Sequence, residues 1–183
     1  MGKIPAPKKS LPLGQVYRIL EPGPVILLTT SHRGRANVMA QSWHTMLEFE
    51  PPLVGMVVSD RNFSFKALLA TRECVINVPT SRLSRAVVGC GNTSGARIDK
   101  FAKFDLTPEA GKRVGAPLIR EFYANLEARV VDSSAVRKYG FFVLEVVQGW
   151  IDPAAKDPKT LHHRGMGRFM IAGRTVRLPS RMK

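Results

Sequence analysis

The chain has 183 residues and carries 28 Lys and Arg against 14 Asp and Glu, a formal charge of +14. A domain of this length can bury ~70% of its unfolded surface without staples, and 44% hydrophobic with 23% charged residues excludes wholesale disorder. No apolar run reaches the roughly 18 residues of a membrane span, and Cys74 and Cys90 as sole cysteines exclude a disulfide scaffold, so a soluble globular protein with one core is expected.

The first 14 residues hold Pro5, Pro7 and Pro12 with Lys3, Lys8 and Lys9. Proline fixes φ and removes amide donors, so residues 1–14 are expected as an extended basic arm ahead of a single domain over 15–183. This start has no apolar h-region, which argues against a secretory signal and for the cytoplasm. Pro22, Gly23 and Pro24 predict a turn launching a strand over 25–30, closed by a hairpin-like loop over 31–35. Extended character resumes over 36–40, and residues 53–58 read as a buried strand beginning after Pro51 and Pro52. Phe65, Leu68 and Leu69 share one helical face and predict a helix over 63–70, with Asn62 or Ser64 as its N-cap. Residues 74–78 form a further strand stopped by Pro79, and residues 82–88 suit a second helix ending before Gly89. Three later stretches, 118–122, 124–131 and 141–148, alternate or are β-branched. Six or seven strands with three short helices predict a mainly β fold, a closed or partly closed antiparallel barrel rather than a doubly wound α/β sheet.

The charge gathers at the ends. Residues 162–183 contain Arg164, Arg168, Arg174, Arg177, Arg181 and Lys183 and no acid, the footprint of a nucleic-acid binder or of a field that draws in phosphorylated cofactors. Against nucleic acid stand the missing zinc-finger, RRM and helix-turn-helix signatures and the low aromatic content of 8%. No P-loop or GxGxxG motif is present, since Gly89, Gly91 and Gly95 have the wrong spacing and follow a helix. Without HExxH, and with His32, His44, His162 and His163 scattered, no metal site is expected. Cys74 reads as a small buried hydrophobe, and Cys90 lacks a nearby base, so no catalytic side chain is assigned.

A polar cluster remains: Asn37, Gln41, Ser42, Trp43, His44 and Thr45. On one reading a strand passes into a turn and the short side chains satisfy local backbone groups. On the other, amide and hydroxyl groups beside a Trp supply edge hydrogen bonds and an apolar wall for a planar heteroaromatic ligand. The segment Ser59, Asp60, Arg61, Asn62, Phe63, Ser64 follows a strand and opens a helix, so a guanidinium, a hydroxyl and helix N-terminal amides converge on one anion. A ring pocket beside a phosphate cradle points to a nucleotide-like cofactor.

The order Asn37, Met39, Ala40, Ser42, Trp43, Thr45, then Pro51 to Gly55, then Ser59, Arg61, Phe63, Ser64, then Ile76 to Pro79, then Ser94, Gly95, Asp99, Lys100, Phe101, resembles the flavin reductase-like, FMN-binding split-barrel family. Within it the flavoredoxin-like branch is the nearer match, and the ending His162, His163, Arg164, Gly165, Gly167, Arg168, Phe169 resembles that branch's last strand region. The similarity runs from about Pro22 to Phe169. It implies a Greek-key split β-barrel with short peripheral helices and a homodimer holding FMN near the subunit interface.

Carried over by the resemblance, Ser59, Arg61 and Ser64, with Asn62 and Phe63 between them, match the phosphate segment. Met39, Ala40, Gln41, Ser42, Trp43 and Thr45, flanked by Asn37 and His44, match the strand along the ribityl chain and ring. Asn77, Pro79 and Lys100 match segments that complete the pocket, Lys100 as a charge near ring or phosphate. A surface Lys100 paired with Asp99 is the plain alternative. Where the family often has Arg-Asp, this chain has Ala96, Arg97 and Ile98. The implied activity is an FMN-dependent oxidoreductase taking hydride or electrons from NADH, NADPH or a redox protein partner. A non-catalytic electron carrier is the alternative, and a basic nucleic-acid-binding barrel the remote one.

Overall fold

The computed structural model describes residues 7–16 and 23–180. Lys3 and Pro5 of the expected arm, Arg18, Pro22 of the expected turn, and Arg181 and Lys183 of the basic end lie outside the described residues. Strands β1 (Lys9–Leu11), β2 (Ile26–His32), β3 (Arg35–Gln41), β4 (His44–Glu48), β5 (Leu53–Val57), β6 (Glu73–Val78), β9 (Ala124–Asp132) and β10 (Phe141–Ile151) form one sheet. Two further pairs are β7 (Pro108–Glu109) with β8 (Leu118–Ile119), and β11 (Leu161–His163) with β12 (Phe169–Ile171). Helices α1 (Phe63–Thr71), α2 (Ser84–Asn92), α3 (Lys100–Lys103) and α4 (Val136–Tyr139) lie between strands.

The main sheet runs β3-β2-β6-β9-β10-β5-β4 with every pairing antiparallel. β10 is long enough to pair with β5 through Phe141–Glu145 and with β1 through Gly149–Ile151 on the same edge. Thus Lys9–Leu11, inside the segment expected as an arm, is a strand, and Leu11 is buried in the core. The two ends of the strand order, β3 and β4, are consecutive in sequence and separated only by Ser42 and Trp43. Gln41 Nε2 donates to Val57 O at 2.5 Å and Val57 N to Trp43 O at 3.0 Å, so the sheet meets itself at this point and gapes beyond it. The result is the mainly β, partly closed antiparallel barrel that the strand pattern predicts and the split barrel that the resemblance implies.

Alternation decides which face each strand buries. Ile26 and Leu28, Cys74 and Ile76, Leu126 and Ala128, and Leu144 and Val146 point into the barrel. A second apolar cluster joins Leu27 and Val38 of the barrel to Val87 and Cys90 of α2, Ile119, and Leu161 of β11. α2 and the β11–β12 hairpin are therefore packed against the barrel's outer wall.

Two elements differ from expectation for identifiable reasons. β4 has no alternating apolar face, since most of its residues are exposed. Helix α2 continues past Gly89, because a Cβ there would run into the Phe104 ring. The helix accepts the entropic cost of glycine to gain a close approach. Residues 118–122 contribute only the short β8, and the count of strands rises to twelve among the described residues because brief edge pairs carry no period of their own. No helix among the described residues is long and apolar enough to cross a membrane.

Candidate functional site

Two adjoining cavities of about 460 and 150 Å³ lie between β3, the start of α1 and the second half of α2, and both are lined by Met39, Ala40, Asn62 and Gly91. The larger has apolar walls from Val25, Val57, Val87 and Phe169, with Trp43 at its edge. The smaller is polar, with Asn37, Arg61, Thr93, Ser94 and Lys100. No carboxylate lines either one. The volume of the pair falls in the range of small-ligand and cofactor sites.

The larger end is shaped by Gln41. Its Oε1 accepts from Ser42 N at 2.8 Å and from Trp43 N at 2.9 Å, while its Nε2 holds Val57 O. One amide side chain therefore fixes the turn and leaves the Trp43 indole 70% exposed as a plane at the rim. On the far side stand His163 and Phe169, whose rings lie 5.2 Å apart.

The link between the ends is the start of α1. Asn62 occupies the N-cap position, but its Oδ1 turns back to accept from Ser59 N at 3.1 Å and gives no side-chain cap to the helix. Ser59 Oγ accepts from Arg61 N at 3.3 Å. Arg61 is exposed beside the smaller cavity, and Phe63 lies under the Arg35 guanidinium at 5.0 Å.

Lys100 dominates the smaller end. It is 4% exposed, and its Nζ donates to Val38 O at 2.9 Å and Cys90 O at 2.7 Å. An ammonium has three donors, so one is left for the cavity that Lys100 lines. Burial pulls its pKa below the usual lysine value, with the Cys90 thiol opposing; burial pushes that thiol up to about 11. Asp99 does not pair with it, because its carboxylate caps α3 by accepting from Phe101 N at 2.9 Å and Ala102 N at 3.3 Å. The picture of a surface lysine is replaced by a buried cation.

Asn37, Met39, Ala40, Gln41, Ser42, Trp43, Ser59, Arg61, Asn62, Phe63 and Lys100 are thus brought together around the cavities. His44, Thr45, Ser64, Asn77 and Pro79 line neither. His44 Nε2 sits 2.8 Å from Pro24 O at the barrel seam, its Nδ1 is buried without a partner, and burial lowers its pKa. Ser64 is buried beneath Asn37, accepting from Asn37 Nδ2 at 2.8 Å. Asn77 is the hub of an internal network: its Nδ2 donates to Leu27 O and its Oδ1 accepts from Ile119 N and Asn125 Nδ2.

Reasoning from the sequence misses the wall built by Val87, Val88, Gly91 and Asn92, because it ends the second helix at Val88. Gly91 and Gly95 mark the approach of backbone to the cavity; a Cβ at Gly95 would collide with Asn37 Oδ1. Their clustered glycines are the one legible signal.

The flavin reductase like domain matches residues 18–170. The chain is 30% identical over 178 residues to the uncharacterized protein YddH of Escherichia coli, covering 90% of this chain and 94% of that one. An uncharacterized protein of Archaeoglobus fulgidus is 34% identical over 125 residues, 68% of this chain and 71% of its own. Among solved structures, the FMN-binding domain of a flavin reductases-like enzyme from Shewanella baltica superposes with a TM-score of 0.89 at 23% identity, covering 97% of this chain and all 100% of the other. The flavoredoxin of Methanosarcina acetivorans gives 0.71 at 26% identity over 85% and 87% of the two chains. With the match over residues 18–170 taking in β2 to β11 and every residue that lines the two cavities, the chain belongs to the flavin reductase-like domain family.

Proposed function

We propose that the joined cavities bind FMN, phosphate in the smaller and ring in the larger, and that the protein is an FMN-dependent oxidoreductase reduced by a nicotinamide nucleotide. The observation that carries this is Lys100, a buried cation with no carboxylate beside it and one donor to spare. A buried charge of that kind is costly unless an anion meets it, and the polar cavity has room for a phosphate but not for a ring. The adjoining apolar cavity with an exposed indole at its rim suits a planar heterocycle.

Bound FMN supplies two-electron hydride chemistry. Lys100 and Arg61 hold the phosphate, Lys100 from the buried side and Arg61 from the exposed one. Gln41 fixes the backbone of Ser42 and Trp43, so the polar edge of the ring meets preset amides rather than mobile ones. Trp43 and Phe169 bound the ring space and exclude water from part of it. The ionisable side chains lining the cavities are Arg61, Cys90, Lys100 and His163, with no carboxylate among them. Trp43 is 70% exposed at the ring end, and its apolar surface there supports a homodimer that closes the site.

The test is the visible spectrum of the purified protein before and after loading with FMN and desalting, then under anaerobic NADPH or NADH. Retained flavin absorbance bleached by a nicotinamide nucleotide is expected. Absence of retained flavin, together with no turnover of free FMN, overturns the reading; bleaching by a reduced redox protein alone replaces the reductase with an electron carrier. A finer check compares two cations. Arg61→Ala should weaken FMN roughly tenfold to a hundredfold, the value of one charge-assisted hydrogen bond. Lys103→Ala, which lies outside both cavities with Nζ 6.0 Å from the Phe104 ring centroid, should change the affinity less than about twofold. Equal effects would remove Arg61 from the phosphate site.

A further inference from the structure

Arg85, Arg164 and Arg168 are exposed and stand close in sequence to residues that line the larger cavity. One wall is the β11–β12 hairpin, from which His163, Gly167 and Phe169 face the cavity. Its tip is tightly built: Arg164 N donates to Arg168 O at 2.8 Å and Arg168 N to Gly165 O at 2.9 Å. Gly165, Met166 and Gly167 all have positive φ, at 81°, 49° and 70°. Glycine is needed on either side for the chain to hold this left-handed run. The turn sets Arg164 and Arg168 at its two feet, each next to a residue that lines the cavity.

A second wall is α2. Val88 lines the cavity while remaining 36% exposed, so it stands at the mouth. Arg85 precedes it by three residues, one turn away on the same helical face, and is exposed. Among the described residues the ion pairs are Arg120 with Glu109 and Arg129 with Glu73, and neither involves Arg85, Arg164 or Arg168. Three exposed arginines thus lie within one residue or one helical turn of the lining of a site that itself contains no carboxylate.

We propose that Arg164 and Arg168 of the hairpin, with Arg85 of α2, recognise the additional phosphate of NADPH, so that the site selects NADPH over NADH as its electron donor. This rests on the ring-binding reading of the larger cavity. NADPH and NADH share nicotinamide, riboses and pyrophosphate; they differ by one dianionic 2′-phosphate. Guanidinium forks match phosphate oxygens in pairs and stay charged at every working pH. A dinucleotide is longer than the ring cavity, so with its nicotinamide there its adenosine half lies outside it, where exposed side chains can meet it. The smaller cavity, with Lys100 and Arg61, lies at the other end and is spoken for by the FMN phosphate.

The experiment uses the full chain, wild type and the Arg164→Ala/Arg168→Ala double variant. Calorimetric titration with 2′,5′-ADP and with 5′-AMP, which lacks only the 2′-phosphate, reads the rim without any turnover. Anaerobic bleaching of the FMN-loaded protein by NADPH and by NADH gives the half-saturating concentration of each. We expect wild type to favour 2′,5′-ADP over 5′-AMP and NADPH over NADH by roughly tenfold to a hundredfold. In the double variant both ratios should fall to near one, with the melting temperature held as a check on folding. Equal affinity of wild type for the members of each pair overturns the proposal, as does a ratio that survives the double substitution. A protein that retains no FMN yet shows the 2′,5′-ADP preference would sink the cofactor assignment and uphold the rim. Retained FMN with no preference would do the reverse.

Discussion

Replacing Lys100 with Met is expected to leave a folded protein that no longer retains FMN. The side chain is 4% exposed and bonded only to Val38 O and Cys90 O. Met keeps most of the volume and loses the charge. Two carbonyls then lose one partner each, which costs stability, while an unpaired buried cation disappears, which restores it. The two effects oppose each other, so the melting temperature of the flavin-free protein should move by only a few degrees. Binding has no such compensation. The phosphate loses its buried counter-charge in a site screened from water, where one charge-assisted contact is worth about 3 kcal/mol, or more than a hundredfold in affinity.

The pH dependence separates this role from a structural one. Burial lowers the Lys100 pKa in the flavin-free fold below the ordinary 10.5, so between that value and 10.5 the unfolded chain binds more protons than the native one. Stability of the flavin-free protein from this group therefore rises with pH across the window. FMN affinity should move the opposite way, because the dianion needs the ammonium protonated and loses it as pH climbs through the same window. Both trends should be absent in Lys100→Met. Retention of FMN by that variant within about threefold of wild type would remove Lys100 from the phosphate site.

The sequence makes the barrel legible where its physics is local. The apolar, β-rich runs at 25–30 and 74–78, the alternation in 124–131, and helical spacing at Phe65 and Leu68 follow from residues within a few positions of one another. β4 is not legible, because its role comes from pairing with β5 and from the seam at Gln41 rather than from its own pattern. The extension of α2 past Gly89 is hidden for a similar reason: Phe104, which forbids a Cβ there, lies fifteen residues later. Among the candidate site residues, Arg61, Asn62 and Trp43 line the cavities. Asn77 and Ser64 do not, since a buried amide or hydroxyl can serve the fold's own network as readily as a ligand, and only tertiary structure tells which.

Glu127 carries the second large effect, and nothing in its neighbourhood in sequence announces it. It lies in the middle of β9, fully buried, on the face opposite Leu126 and Ala128. Its Oε1 accepts from Lys112 N at 3.0 Å and Trp150 Nε1 at 2.8 Å; its Oε2 accepts from Arg113 N at 2.6 Å and Val114 N at 3.0 Å. A Cβ at Gly111 would lie 2.8 Å from that Oε2, so the loop wraps the carboxylate closely. The charge is met by four oriented N–H dipoles, and these bonds tie the loop that carries Val114, Ala116 and Leu118 onto Val75. Glu127→Gln keeps the shape but turns one acceptor into a donor facing N–H groups. The loss should be on the order of 3 kcal/mol, and for a domain of this length that lowers the melting temperature by roughly 6–12 °C. FMN affinity at 25 °C should stay within about twofold, because neither Glu127 nor its four donors line either cavity. Thermal melting and flavin titration on the same sample test both halves. A variant that melts with wild type would show the loop to be held by its apolar contacts alone, and one that loses FMN in step with stability would tie the two sides of the barrel into one cooperative unit.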